Sequence, residues 1–330
     1  MAGGAHKDAS SQQNGWGWWA MRALVTGGAG FIGSHLADAL LADGAEVVVL
    51  DNLSTGRRAN VPAGAKLLEG DVSDPDDVAR AASGCDVVFH QAALGSVTRS
   101  IERPLDTDRA NVTGTLAVLD AARAVGARRV VLASSSSVYG GADQVPTPEA
   151  APLRPRSPYA VSKLAGEHYA RVYFELHGLE TVCLRYFNVF GPRQRPDSEY
   201  AAVIPRFATA LVEGRSPEVH GDGRQCRDFT YVADAVQANL RAASAPAERC
   251  AGRAFNVARG EPHDLVELLA ILTELTGATV DPVHVGSRPG DVRRSHADIT
   301  LAREHLGYAP SVTFPEGLAR TVDWFTQSVL

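Results

Sequence analysis

In the stretch SPYAVSKLAGEHYA, Ser157 to Ala170, a phenol and an ammonium stand four residues apart at Tyr159 and Lys163. On a helix that spacing puts both side chains on one face, one turn apart. A tyrosine with its ordinary pKa of about 10 is a poor base at neutral pH. A neighbouring ammonium favours the phenolate, and so does the positive ring of an oxidised nicotinamide. The chemistry this suits is removal of a proton from a hydroxyl as hydride leaves the same carbon. The three donors of Lys163 can also hold the nicotinamide ribose. Y-x-x-x-K is common by chance, with a solvated helix face as the competing reading, so the pair needs company.

That company comes from two other stretches. ASSSSVYG, Ala133 to Gly140, closes a strand-like run. Hydroxyls at such a strand end point into the crevice where ligands of parallel sheets bind. Ser135 is the candidate to share a hydrogen bond with the reacting oxygen, and Ser136 and Ser137 to line a sugar pocket. The competing reading is a run of turn-forming serines. TGGAGFIG, Thr26 to Gly33, lies between a first strand and a first helix, with glycines at 27, 30 and 33. Gly27 permits a tight turn, Gly30 lets backbone N–H groups approach a pyrophosphate, and Gly33 allows close helix–sheet packing. The spacing departs from G-x-G-x-x-G by one residue. The next strand ends on Asp51, where an acid binds an adenosine ribose and disfavours a 2′-phosphate, so NAD is expected rather than NADP. Asp71 and Val72 of GDV are expected to flank the adenine. Phe31, Ile32, Asn52, Ala92, Ala93 and Tyr186 complete the expected cofactor contacts.

These residues need a frame to hold them. RALVTGG, AEVVVLD, AKLLEGDV, CDVVFHQAA, ARRVVLASSSSVYG and LETVCLRYFNVFGP read as buried strands separated by helical periodicity. Such alternation predicts an α/β fold of the Rossmann type, a doubly wound parallel sheet with helices on both faces. The Pro-rich VPTPEAAPLRPRSP must be an extended loop leading into the helix of Tyr159. After residue 191 the alternation weakens. The expected division is a flexible leader at 1–20, an NAD-binding domain at 21–191, and a smaller mixed α/β substrate domain at 192–330. RAFNVA is a strand that could return to the first domain.

Across its 330 residues the chain is 45 % hydrophobic and 21 % charged, ordinary for a soluble globular protein. A net charge of −6 argues against a general nucleic-acid binder. The four cysteines, Cys85, Cys183, Cys226 and Cys250, form no zinc spacing, so no metal is expected, and a reducing, cytoplasmic setting is. No apolar run approaches the roughly 18 residues of a membrane span.

TGGAGFIG, SSSSVYG and YAVSK together resemble the extended short-chain dehydrogenase/reductase superfamily from about residue 22 to the end. Within it, HQAALGSVTRS, LRYFNVFGPRQ, YAAVIPRF, GDGRQCRDFTYV and RPGDVRRSHAD are similar to UDP-hexose 4-epimerases, in particular the branch that accepts UDP-N-acetylglucosamine. The resemblance implies that Ser135, Tyr159 and Lys163 carry the redox chemistry on tightly bound NAD. It implies that Asn188 and Arg227 hold the UDP phosphates, that Arg288 is a further phosphate-binding arginine, and that Asp291 grips the uridine ribose. Permanent, forked cations are what a diphosphate needs, which agrees for the arginines. Ser96 and Gln194 match residues near the hexose. Ser295 falls where the family varies bulk beside the C2 substituent, and a small serine leaves room for an N-acetyl group. A homodimer through two helices per subunit, one of them the helix of Tyr159, is also implied.

Neighbouring activities differ at the same positions. Sugar-nucleotide 4,6-dehydratases resemble this chain but place an Asp-Glu pair at the strand end, and UDP-glucuronate decarboxylases place a glutamate there. Ser136 and Ser137 supply no acid. Arg195 resembles an arginine of UDP-glucuronate 4-epimerases, which keeps a uronate substrate open, as are a 4-ketoreductase and a non-catalytic NAD-sensing protein.

Overall fold

The computed structural model describes residues 21–196, 202–286 and 293–329; the expected leader at 1–20 lies outside them. The chain opens on β1 (Arg22–Thr26), α1 (Phe31–Ala42), β2 (Glu46–Asp51), β3 (Lys66–Glu69), α2 (Pro75–Ala82) and β4 (Val87–His90). Two short helices, α3 (Val97–Glu102) and α4 (Pro104–Asp108), lead through a π-helical turn into α5 (Gly114–Ala124) and β5 (Arg129–Ser135). The Pro-rich segment is a loop, as the sequence predicts, and runs into the long α6 (Pro158–His177) and then β6 (Glu180–Tyr186).

Further along come β7 (Val189–Phe190), α7 (Val203–Val212), β8 (Glu218–His220), β9 (Cys226–Asp228) and β10 (Thr230–Tyr231). They are followed by α8 (Val232–Ser244), α9 (Ala247–Cys250), β11 (Arg253–Val257), β12 (Pro262–Asp264) and α10 (Leu265–Thr276). The chain ends with β13 (Val283–Val285), β14 (Arg294–Ser295), α11 (Thr300–Leu306) and α12 (Phe314–Val329).

Strands β1 to β6 and β11 form one parallel sheet in the order β11-β6-β5-β4-β1-β2-β3. This is the doubly wound arrangement the sequence predicts, and strand order reverses between β1 and β4. The apolar runs are buried on both faces. Val25, Val47, Val49, Phe89 and Val131 pack on one side, while Leu24, Val48, Leu50, Val88 and Val130 pack on the other. α1 and α8 cover the first face, and α2, α5 and α6 the second. A third cluster, with Phe190, Phe207, Leu268 and Phe325, joins α7, α10 and α12 above the strand ends.

Arg129 on β5 is fully buried. Its Nη1 donates to the carbonyls of Ala242, Ala243 and Ala245 at 2.7, 2.9 and 2.7 Å, and its Nε to Glu180 at 2.8 Å. A cation thus satisfies the orphan carbonyls at the end of α8 and favours that pole of the helix dipole.

Candidate active site

Helix α6 begins where its sequence says it should. Ser157 is the N-cap, accepting from Ala160 N at 3.1 Å, Pro158 follows at the first helical position, and Gly178 ends the helix with φ 68°. Tyr159 and Lys163 therefore lie one turn apart on its first turns. Both line a cavity of about 1010 Å³ between the C-terminal ends of the strands and the third cluster, at the top of the range for small-molecule sites.

Ser135 lines the same cavity and shares a hydrogen bond with Tyr159. Burial raises the Tyr159 pKa, and the Ser135 bond only partly opposes it. The sequence predicts the opposite direction, with Lys163 favouring the phenolate. In the structure Lys163 Nζ donates to Ala133 O at 2.8 Å, and its own pKa is brought down by burial to about 8. The helix pair alone does not ionise the phenol.

The phosphate loop has the geometry its glycines predict. Gly27 has φ 70°, and a Cβ there would sit 2.7 Å from the Ala92 backbone. A Cβ on Gly33 would collide with the Gly27 carbonyl. Gly30 starts α1 without a side-chain cap, and the first turn carries no acid. The first N–H groups of α1 thus remain for an anion. Gly27, Gly30, Phe31, Ile32, Gly33, Asp51, Asn52, Asp71, Val72, Ala92 and Ala93 all line the cavity. Asp51 accepts from Ala29 N at 3.0 Å and Leu53 N at 2.8 Å, which fixes its carboxylate at the rim. Burial pushes the Asp71 carboxyl up, but hydrogen bonds from Ser73 and Asn52 outweigh it and hold the pKa below the ordinary value. Tyr186 also lines the cavity, but its hydroxyl is engaged by Asn239 at 2.7 Å and Gln91 at 3.2 Å, leaving the ring face.

On the sugar side, Ser136, Ser137, Asn188, Gln194, Arg227 and Ser295 line the cavity. Asn188, with φ 38°, donates to Asp228 O at 3.0 Å, and Gln194 to Val189 O at 3.2 Å. β14 pairs with β9, so Ser295 lies beside Arg227. Two expected residues do not reach the wall. The Ser96 hydroxyl caps α3, accepting from Arg99 N at 3.1 Å. Arg195 donates to Thr55 O at 3.3 Å in the loop after β2. Arg288 and Asp291 lie outside the described residues.

Several wall residues carry no local signature in the sequence. Arg156 and Arg294 line the cavity, and Arg206 faces Glu218 at 3.7 Å. Asn111, on the π-helical turn, donates to Leu94 O at 3.3 Å and Ser162 Oγ at 2.9 Å, tying the loop after β4 to α6. His90 is buried and neutral, its pKa brought down to about 3 by burial and then by Lys163. Thr115 donates to Asn111 O at 2.5 Å, so His90 Nε2 donates to Thr115 at 2.9 Å and Nδ1 accepts from Thr26 at 2.8 Å.

A doubly wound sheet, an uncapped glycine loop and a Ser-Tyr-Lys wall in one cavity define a class of nucleotide-dependent oxidoreductive enzymes. Residues 23–258 match the NAD dependent epimerase/dehydratase family, and the chain belongs to it. It is an enzyme whose cofactor is NAD, and the loop, the bare helix start and Asp51 fit that cofactor. A UDP-glucose 4-epimerase of Mycolicibacterium smegmatis is 43 % identical over 312 residues, spanning 92 % of this chain and 98 % of the relative. The crystal structure of a UDP-glucose 4-epimerase with UDP-glucose from Thermotoga maritima superposes with a TM-score of 0.90 at 37 % identity, covering 94 % of this chain and all of that one. A UDP-N-acetylglucosamine 4-epimerase from Methanobrevibacter ruminantium, in complex with UDP-N-acetylmuramic acid, gives 0.88 at 38 % identity, covering 93 % and 99 %.

Among the described residues, no helix is long and apolar enough to cross a membrane.

Proposed function

We propose that the chain interconverts UDP-hexoses at C4 and accepts a 2-acetamido group as well as the plain hexoses. The observation that carries this is one cavity that takes in Ser135, Tyr159 and Lys163, the bare start of α1, and Arg227 with Ser295. In this reading Gly27, Gly30, Phe31, Ile32 and Gly33 hold the pyrophosphate of NAD. Asp51 and Asn52 take its adenosine ribose, Asp71 and Val72 flank its adenine, and Ala92, Ala93 and the Tyr186 ring border its other half. Bound NAD supplies an acceptor and later a donor of hydride, together with a positive charge that offsets the burial of Tyr159.

Tyr159 takes the proton of the C4 hydroxyl and later returns it to the oxygen of the turned sugar. Ser135 holds that oxygen through both transfers, and Lys163 holds the nicotinamide ribose. Asn188 and Arg227 keep the diphosphate in place while the 4-keto ring presents its other face. Arg288 and Asp291 keep their motif-based assignment to phosphate and uridine ribose. Ser136, Ser137 and Gln194 border the hexose, and Ser295 leaves room at C2.

Ser136 and Ser137 offer no acid for elimination, which counts against dehydration and decarboxylation. The Arg195 guanidinium donates to Thr55 O, and turnover of UDP-glucuronate decides its bearing on a uronate. Incubation with UDP-N-acetylglucosamine, UDP-glucose and UDP-glucuronate in turn, followed by anomeric NMR, tests the reading. Inversion of the first two with no net change in free nicotinamide is expected. Inversion of none sinks the reading, and steady oxidation of added NADH against a 4-keto sugar replaces it with a ketoreductase.

A second copy belongs to the same proposal. Val161, Tyr169, Val172 and Leu176 are exposed on α6, with Ile101 and Leu105 exposed on the adjoining α3 and α4. Apolar exposure of this extent, on helices packed against one another, suits a partner of the same chain.

A further inference from the structure

Behind the catalytic wall lies a buried polar cluster that the proposed reaction leaves without a task. Tyr159, Lys163 and Glu167 recur every four residues along α6, so they form one stripe. Glu167 is 9 % and Arg185 5 % exposed. Arg185, on β6, grips both carboxylate oxygens at 2.9 and 2.7 Å. The first of those oxygens also accepts from Ser134 Oγ at 2.5 Å. Ser134 immediately precedes Ser135 on β5, and strand alternation turns its side chain toward the helix while Ser135 faces the cavity. Arg185 reaches on to the Tyr139 hydroxyl at 2.8 Å and the Glu149 carbonyl at 3.0 Å, next to the turn that holds Ser136 and Ser137.

We propose that Glu167, held by Arg185, is a positioning residue: through Ser134 it fixes the height of the Tyr159–Lys163 stripe against the strand end that carries Ser135. Behind the Ser135–Tyr159 hydrogen bond, helix and strand are joined by two further polar rungs, Lys163 to Ala133 O and Ser134 to Glu167. A void of about 10 Å³, lined by Lys163, Ser134, Glu167, Ser162 and others, lies beside these rungs. Arg185 has a second effect. A carboxylate one turn beyond a lysine ordinarily pairs with it. The bidentate arginine keeps Glu167 occupied, and the Lys163 donor goes to Ala133 O instead. A buried ion pair adds little to the stability of a fold, because apolar residues of equal volume often serve as well.

The inference rests on the proposed epimerisation, and Ser134→Ala is the sharpest test because it cuts the rung without stranding a charge. The wild type, Ser134→Ala, Ser134→Thr and Glu167→Gln are compared for melting temperature, NAD retained on gel filtration, and kcat and KM with UDP-glucose. For Ser134→Ala, kcat is expected to fall about tenfold with KM and retained NAD near the wild-type level. Ser134→Thr restores most of kcat, since it keeps the hydroxyl and its methyl has the void beside it. Unchanged kcat in Ser134→Ala overturns the proposal. So does a loss of kcat, KM and melting temperature in step that Ser134→Thr does not repair. A wild type inactive on every UDP-sugar defeats the epimerase reading instead. Crystal structures then decide the positioning role alone: Tyr159 shifts relative to Ser135 in Ser134→Ala, and an unmoved Tyr159 overturns it.

Discussion

Burial works against Tyr159. The phenol is harder to ionise in this cavity than in water, and only the Ser135 hydrogen bond opposes that. In the proposed reaction its use as a base therefore depends on positive charge arriving with the cofactor. Replacing Tyr159 by Phe removes the proton acceptor and is expected to lower kcat for C4 inversion by about a hundredfold or more, with NAD still bound, as read by NMR and by cofactor content. Ser295 makes a separate demand. Ser295→Tyr is expected to raise KM for UDP-N-acetylglucosamine steeply and leave UDP-glucose turnover within a few fold, and equal losses on both would remove Ser295 from the sugar wall. Tyr159, Lys163 and Ser135 were legible because local spacing at a strand end and a helix start carries them. Ser96 and Arg195, named by motif, place their hydroxyl and guanidinium on backbone groups, a cap in one case and the Thr55 carbonyl in the other. No short-range pattern announces those partners. Glu167 and Arg185 escaped notice for a like reason, since their meeting depends on how α6 packs on β6.

Among the elements, β5 and α8 are joined by the least replaceable side chain. Arg129→Met leaves three helix-end carbonyls without their cation and Glu180 with Arg128 alone, at 3.6 Å. A loss of about 3–5 kcal/mol in urea unfolding is expected. His90 links β1 and β4 to α5, and its effect is pH dependent. Its folded pKa of about 3 lies below the ordinary 6.5 of the unfolded chain. Between those values the unfolded state binds a proton that the folded state refuses, so stability present above pH 6.5 is lost as pH falls toward 3. The contribution is roughly 1.4 kcal/mol per pH unit. His90→Asn should show a shallower acid slope than the wild type, and an identical slope would falsify this assignment. The strands were legible because parallel strands are apolar on both faces. Arg129 was hidden for the opposite reason: a charge inside such a run gives no hint of the helix end it serves.

For the whole molecule, the exposed stripe on α6 predicts association. Val172→Glu combined with Leu176→Glu is expected to halve the mass seen by light scattering, and an unchanged mass places the partner elsewhere. The parallel sheet was legible from the alternation of strand and helix, and β11, the RAFNVA strand, completes its edge beside β6. The order in which the short strands β7 to β10 and β12 to β14 pair was not, because two- and three-residue strands have no period of their own. The cavity beneath that lobe is continuous, taking in Asp51, Tyr159 and Arg227 without a dividing wall. An inhibitor could therefore be built as one tethered molecule, adenosine at one terminus and uridine at the other, whose linker replaces the reacting atoms.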